Sequence, residues 1–137
     1  MAGYSKRSLQ DKLGIKDGFQ VCFLNEPESY RRDLGALPSK TVESTRLKKG
    51  IDFIHHFCVW RKDLEKNFPK LASNLSPSGM VWISWPKGSS KVPTDLNGNI
   101  VRDIGVMNGM VDVKVCAVDD IWSGLKFVYR LKDRPPV

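Results

Sequence analysis

The apolar run at residues 80–85 (MVWISW) is the feature that most restricts how this chain can fold. All but one of its residues are apolar, which is typical of a strand buried on both faces of a sheet. Pro86 follows directly, and because proline has no N–H it ends the hydrogen-bonded ladder there. A polar loop occupies residues 87–94, and Asp95 leads into a predicted helix. A buried strand followed by such a loop and a helix start is where α/β proteins commonly bind ligands.

Length and composition indicate one soluble domain covering residues 1–137. The hydrophobic content of 41% and the charged content of 27% are ordinary for a globular protein. No apolar run approaches the ~20 residues of a membrane span, and the N-terminus lacks the apolar segment of a signal peptide. Cys22, Cys58 and Cys116 lie far apart in apolar runs. We therefore expect buried free thiols, a cytoplasmic location and no metal site.

Strand and helix patterns alternate along the chain. Strands are predicted at 19–24, 51–60 and 80–85, with an edge strand within 39–47, and helices at 5–13, 27–34, 63–75 and 96–107. Pro69 predicts a kink or break in the third helix, and residues 76–79 predict a turn. The runs 111–118 and 125–131 predict an antiparallel hairpin, with Val111, Val113, Val115 and Ala117 on one face of its first strand. We expect an α/β fold, a Rossmann-like three-layer sandwich with a mostly parallel sheet and this hairpin at one edge.

This order of elements resembles the later part of class I S-adenosylmethionine-dependent methyltransferases. In that family a helix ends in an L-x-P-x-G turn that feeds a central strand, and residues 75–79 (LSPSG) match that turn. Further segments resemble a small bacterial family of unknown function with a degenerate Rossmann-like layout: WISWPK at 82–87, TDL at 94–96, VDVKVCAVD at 111–119 and WSGL at 122–125. The resemblance implies this fold and no established activity.

The turn after the first strand departs from the methyltransferase pattern. A methyltransferase has a glycine-rich turn there, whereas residues 25–29 (NEPES) contain no glycine, and no G-x-G-x-x-G fingerprint is present. The acidic residue expected at the end of a second strand is represented only by Glu43, in the weakly patterned edge strand. The sequence therefore predicts no cofactor, and in particular no micromolar binding of S-adenosylmethionine or NAD.

The polar loop is the predicted ligand site. The candidates for binding an anion are Lys87, Ser89, Ser90, Lys91 and Thr94. Two of them supply positive charge, three supply hydroxyl donors, and the helix start beyond them would add N–H groups and a positive dipole end. Asp95 would compete with the anion by capping that helix.

The cleft beside this loop has its own candidates, and no catalytic residue is predicted. The residues expected to line the cleft are Asn25, Trp85, Asp95 and Trp122. His55 and His56 are adjacent in a strand, so they point to opposite faces and cannot serve one site together. Ser123 lacks the G-x-S-x-G motif of hydrolases.

Three functions remain open from the sequence. The missing glycine-rich turn and the polar loop favour a non-catalytic binding or regulatory module over an enzyme, with a small anionic ligand or a protein as partner. The first alternative is a divergent S-adenosylmethionine-dependent methyltransferase, which rests on architecture alone. The second is a nucleic-acid-associated protein, which rests on the net charge of +7. No membrane partner is expected.

Overall fold

The computed structural model describes residues 8–133, which form six strands and four α-helices. The strands are β1 Gln20–Leu24, β2 Val42–Glu43, β3 Ile51–Phe57, β4 Leu75–Pro86, β5 Met110–Ala117 and β6 Trp122–Tyr129. The helices are α1 Leu9–Leu13, α2 Glu28–Leu34, α3 Arg61–Asn74 and α4 Gly98–Met107, with short 3₁₀ turns at Gly88–Ser90 and Leu131–Asp133.

The strands form one sheet in the order β2-β1-β3-β4-β6-β5. The first four are parallel to one another, and β6 runs antiparallel to both β4 and β5. Side chains from α3 and α4 pack on one face of the sheet, and side chains from α1 and α2 pack on the other. The predicted α/β sandwich is confirmed, with β1, β3 and β4 in the centre and the hairpin at one edge.

Several predicted boundaries move. The first helix begins at Leu9, because the Ser8 hydroxyl caps it by accepting a hydrogen bond from the backbone N–H of Asp11. Residues 5–7 of the predicted helix lie outside the described part of the chain. The edge strand shrinks to the two residues of β2, and the third strand ends at Phe57. Pro69 causes no break in α3, whose buried side chains Leu64, Phe68 and Leu71 hold both halves against the sheet.

The predicted turn at 76–79 is instead part of β4. Leu75 already pairs with Ile51, and Met80 pairs with Phe53, so four residues of β4 pass a single residue of β3 in an irregular register. The carboxylate of Asp52 secures this bulge, since Oδ1 accepts from the Ser76 hydroxyl at 3.2 Å and Oδ2 from the backbone N–H of Gln20 at 2.9 Å. Tertiary contacts therefore extend the strand through a segment whose residues favour a turn.

A bulge also breaks the predicted alternation of β5. Asp112 pairs with Phe127 and Lys114 with Lys126, which leaves Val113 as the extra residue. Val115 pairs with Leu125 and shares a face with Asp112, so the predicted grouping of the valines on one face is wrong beyond the bulge. Val113 and Val115 are 53% and 70% exposed.

The three cysteines are buried as thiols, as predicted, and none of them forms a disulfide within residues 8–133. Within residues 8–133, no helix combines the length and the hydropathy that crossing a bilayer requires.

A hydrogen-bonded chain of three side chains crosses the core between α2, β3 and β4. The Tyr30 hydroxyl lies 2.8 Å from His55 Nδ1, and Ser84 Oγ lies 2.7 Å from His55 Nε2. All three residues are at most 1% exposed. A neutral imidazole has one N–H and one acceptor nitrogen, so one hydroxyl accepts from the ring and the other donates to it. The chain satisfies every polar atom of His55 and links three elements.

Replacing Tyr30 by Phe should lower the free energy of unfolding by about 1–3 kcal/mol, because it leaves His55 Nδ1 buried without a partner. Ser84→Ala should have a similar effect through His55 Nε2. Urea denaturation followed by tryptophan fluorescence measures both. Ser89→Ala, which removes an exposed hydroxyl in the polar loop, is the control and should change stability by less than about 0.5 kcal/mol. Full stability of Tyr30→Phe would contradict the bonding described.

Candidate functional site

The order of the strands reverses between β1 and β3, because the chain passes from β1 to β2 on one side and then to β3 on the other. Open α/β sheets bind ligands outside the carboxyl ends of the strands at such a point. Two cavities of about 200 and 340 Å³ lie here, and Asn25, His56 and Asn67 line both of them. We call the pair the switch-point crevice; its larger cavity alone reaches the size of a small-molecule site.

Asn25 forms the first residue of the turn that follows β1 and adopts the left-handed conformation, with φ of 59°. Asparagine enters this region more readily than most residues other than glycine. The prediction that this turn excludes a cofactor rests on the absence of glycines, which would let the backbone approach the ligand closely. Asn25 provides a left-handed turn without a glycine, and the prediction about the cofactor stays a prediction.

His56 lines both cavities from the opposite face of β3 to His55. It is 2% exposed, and its Nδ1 has no hydrogen-bond partner within the described part of the chain. Burial lowers the pKa of His56 to about 4, although the Asp63 carboxylate opposes this shift. The ring is therefore neutral at pH 7. A buried polar atom without a protein partner is where a ligand or a water molecule forms a hydrogen bond.

The smaller cavity is mainly apolar. Its remaining lining residues are three leucines, Leu24, Leu47 and Leu71, and the polar Lys70. An apolar slot with the Asn67 amide at its side suits a flat ring that carries hydrogen-bonding groups on its edge.

The larger cavity is more polar and is flanked by two tryptophans. Trp60, Asp63 and Trp122 line it, and Trp122 packs edge-on against Phe57 with 5.2 Å between the ring centroids. Cys58 also lines this cavity, and burial raises the pKa of its thiol to about 12. The thiol is therefore protonated at pH 7 and is a poor nucleophile.

Glu43 is the last residue of β2, so an acidic residue does end the second strand, where the sequence left its position doubtful. Both of its carboxylate oxygens accept hydrogen bonds from the Arg31 guanidinium, and this bonding lowers the pKa of Glu43. Arg31 also donates to Glu26 at 2.9 Å and lies 4.5 Å over the ring of Phe23. The carboxylate is thus held by the protein itself beside the turn that follows β1.

The predicted anion-binding residues lie on a loop whose hydroxyls are mostly in use. Ser90 donates to the backbone carbonyl of Lys87, and Thr94 donates to the carbonyl of Val59. Ser89 and Lys91 are exposed. The helix beyond the loop begins at Gly98, two residues after the predicted start, and Asn97 caps it by accepting from the N–H of Ile100. The anion site stays a prediction.

The predicted cleft residues separate into two groups. Asn25 and Trp122 line the larger cavity. Trp85 is 7% exposed and packs in the core, close to Gly98. Asp95 does not cap the helix that follows it; its Oδ1 accepts from the N–H of Arg61 at 2.7 Å and so caps α3.

Three residues that line the crevice are not among the predicted site residues: His56, Asp63 and Asn67. Asp63 and Asn67 are four residues apart in α3, so they share one helix face. That spacing, directly after a central strand, was the signal that could have identified them. For His56, the signal was its place directly after His55 in β3, which puts the two rings on opposite faces of the sheet.

No family model matches the chain, and no curated protein is similar to it in sequence. Solved structures share its fold. The complex of DhpI with S-adenosylhomocysteine superposes with a TM-score of 0.64 at 11% identity, over 96% of this chain and 86% of that one. Magnesium protoporphyrin IX methyltransferase from Synechocystis PCC 6803, with S-adenosylmethionine bound, gives 0.61 at 15% identity over 89% and 74%. Fibrillarin from Aeropyrum pernix, also with S-adenosylmethionine, gives 0.58 at 10% identity over 83% and 68%.

These similarities establish the methyltransferase-like fold, and they correct the functional prediction. The non-catalytic module favoured by the sequence, and with it the leaning against an enzyme, is wrong in light of neighbours that are methyltransferases or contain the methyltransferase cofactor or its product.

Proposed function

We propose that this chain is a divergent S-adenosylmethionine-dependent methyltransferase that binds its cofactor in the switch-point crevice. The observation that carries the proposal is His56, which lines both cavities and whose buried Nδ1 has no partner among residues 8–133. An apolar cavity that adjoins a polar one also suits a ligand with an aromatic base at one end and an amino acid at the other.

The residues present fit this cofactor. Leu24, Leu47 and Leu71 would pack on the adenine ring, and the amide of Asn67 would form hydrogen bonds with its edge. Asn25 and His56, which line both cavities, would contact the part of the cofactor that joins the ring to the sulfur. Bound there, S-adenosylmethionine would supply a methyl group made electrophilic by its sulfonium.

The neutral state of His56 is suited to this ligand. Burial lowers its pKa to about 4, so at pH 7 the ring carries no charge that would repel a positively charged sulfonium. A neutral imidazole also keeps one nitrogen as a hydrogen-bond acceptor and one as a donor. His56 would therefore orient the ligand by hydrogen bonding without opposing its charge.

Isothermal titration calorimetry with S-adenosylhomocysteine, the stable product form, tests the proposal. Wild-type protein should bind with a dissociation constant in the micromolar range. Asn67→Phe should weaken binding by roughly tenfold or more, because the ring fills the junction of the two cavities, and tenfold corresponds to about 1.4 kcal/mol. Lys66→Phe places the same ring at the neighbouring exposed position of α3 and should leave the affinity unchanged.

Circular dichroism and thermal denaturation would first establish that both variants are folded. No saturable heat from folded wild-type protein at millimolar S-adenosylhomocysteine would exclude the proposed cofactor, and equal binding by Asn67→Phe would exclude the proposed place.

A further inference from the structure

Two tryptophans and a carboxylate stand together at the larger cavity, beyond the residues assigned to the cofactor. Trp60 precedes α3 and is 46% exposed, Asp63 is exposed in the first turn of α3, and Trp122 begins β6 and is half-buried. All three line this cavity. An indole left in water at the mouth of a cavity is available to a ligand.

The charge of this cavity selects the kind of ligand. Of the described residues that line it, Asp63 is the one with a charged side chain. Its carboxylate attracts a cation and repels phosphate or carboxylate groups. The face of an indole attracts cations as well, and it contacts the carbon atoms attached to the charged centre. Carboxylate and indoles together therefore recognise an organic cation.

His56, which the proposed function assigns to the cofactor, also indicates that a ligand belongs in this cavity. It is 2% exposed and lines the same cavity, and its Nδ1 has no partner within the described residues. A neutral imidazole can accept a hydrogen bond from an ammonium N–H. The cavity thus offers a charged acceptor, a neutral acceptor and two indole rings.

We infer that Trp60, Asp63 and Trp122 form a subsite for a carbon-bearing cation, which in a methyltransferase is the alkylammonium group of the acceptor. The identity of this cation as an acceptor rests on the proposed function, whereas the cation subsite itself does not. The sulfonium of S-adenosylmethionine has the same chemistry, so the experiment must separate the two sources.

The first measurement titrates butyltrimethylammonium chloride into the protein and follows tryptophan fluorescence, with sodium butyrate as the anionic counterpart. The cation should give a saturable change, and butyrate should not. Asp63→Asn should weaken binding of the cation by about fivefold, and Trp60→Leu should weaken it by a similar factor, as expected for exposed charge and cation–π contacts. Glu65→Gln is the matched control, since it removes a neighbouring exposed carboxylate of α3 outside this cavity, and it should leave the affinity unchanged.

The second measurement distinguishes the sources. If the cation is the acceptor's ammonium, protein saturated with S-adenosylhomocysteine should still bind butyltrimethylammonium, and Asp63→Asn should weaken that binding. If the cation is the sulfonium, Asp63→Asn should weaken binding of S-adenosylmethionine and leave the affinity for S-adenosylhomocysteine, whose sulfur is uncharged, unchanged. Either result supports the cation subsite.

The inference is overturned if the fluorescence of wild-type protein shows no saturable change with butyltrimethylammonium, or if butyrate binds as tightly as this cation. It is also overturned if Asp63→Asn binds butyltrimethylammonium and S-adenosylmethionine with the affinity of the wild type. These outcomes are independent of S-adenosylhomocysteine binding by wild-type protein, so a failure of the subsite and a failure of the proposed function give different results.

Discussion

Lowering the pH from 7 to 4.5 should reduce the free energy of unfolding by about 5 kcal/mol. Burial lowers the pKa of His55 to about 3 and of His56 to about 4, from an ordinary value of 6.5. Below pH 6.5 the unfolded chain therefore binds two protons that the folded chain does not bind. The stability contributed by the neutral rings is complete above pH 6.5 and is lost progressively as the pH falls towards 4 and 3.

The groups that face the His55 and His56 rings also favour a loss of stability as the pH falls. The hydroxyls of Tyr30 and Ser84 face His55, and neither supplies the negative charge that would stabilise a protonated ring. Asp63 is the charged group that acts on His56, and it only partly offsets burial. Each histidine should contribute roughly half of the loss at pH 4.5.

Urea denaturation at pH 7.0, 6.0, 5.0 and 4.5 measures this loss. His56→Gln replaces one of the two rings by an uncharged side chain and should lower the pH dependence to about half. A free energy of unfolding that stays constant over this range would show that the histidines are accessible to protons in the folded state. At the last of these points Glu43, whose pKa is lowered from the ordinary value of 4.5, begins to add a loss of stability in the same direction.

Gly105→Ala should destabilise the protein by about 3 kcal/mol, the upper part of the range for an overpacked core. An added Cβ at Gly105 would lie 2.1 Å from Cε1 of the Phe127 ring and 2.6 Å from Cδ1. Phe127 is completely buried and packs edge-on against Phe68 with 5.4 Å between the ring centroids. The ring has no open space to enter, so α4 would have to move away from the sheet.

Gly98→Ala is the matched control in the same helix. An added Cβ there would lie 3.7 Å from Trp85, an ordinary contact, so this variant should be as stable as the wild type or slightly more so. Thermal denaturation of the two variants measures the difference. If Gly105→Ala were equally stable, α4 would lie further from β6 than described.

The sheet could be predicted from sequence because its signals are local. The apolar run at 80–85 and Pro86 define the buried carboxyl end of β4, and hydrophobic patterns define β1, β3 and the terminal hairpin. These signals need no knowledge of distant residues. The bulge in β5 is different, because it depends on which residue of β6 each residue of β5 meets.

The site was less predictable because its residues are determined by contacts between distant parts of the chain. Asp95 caps a helix that begins 34 residues earlier, whereas sequence proximity points to the helix that follows. The left-handed conformation of Asn25 cannot be read from its residue type, since most asparagines adopt other conformations. Recognising the crevice required the strand order, which places the ends of β1 and β3 side by side.

The two outer strands have a consequence for the protein at high concentration. A sheet can grow by adding strands from other molecules, and a long, regular outer strand promotes fibril formation. Here β2 offers only two residues, and the extra residue Val113 interrupts the spacing of N–H and C=O groups along β5. A strand from another molecule can therefore form hydrogen bonds with only part of β2 or of β5. The exposed valines of β5 therefore do not form a template on which further copies stack.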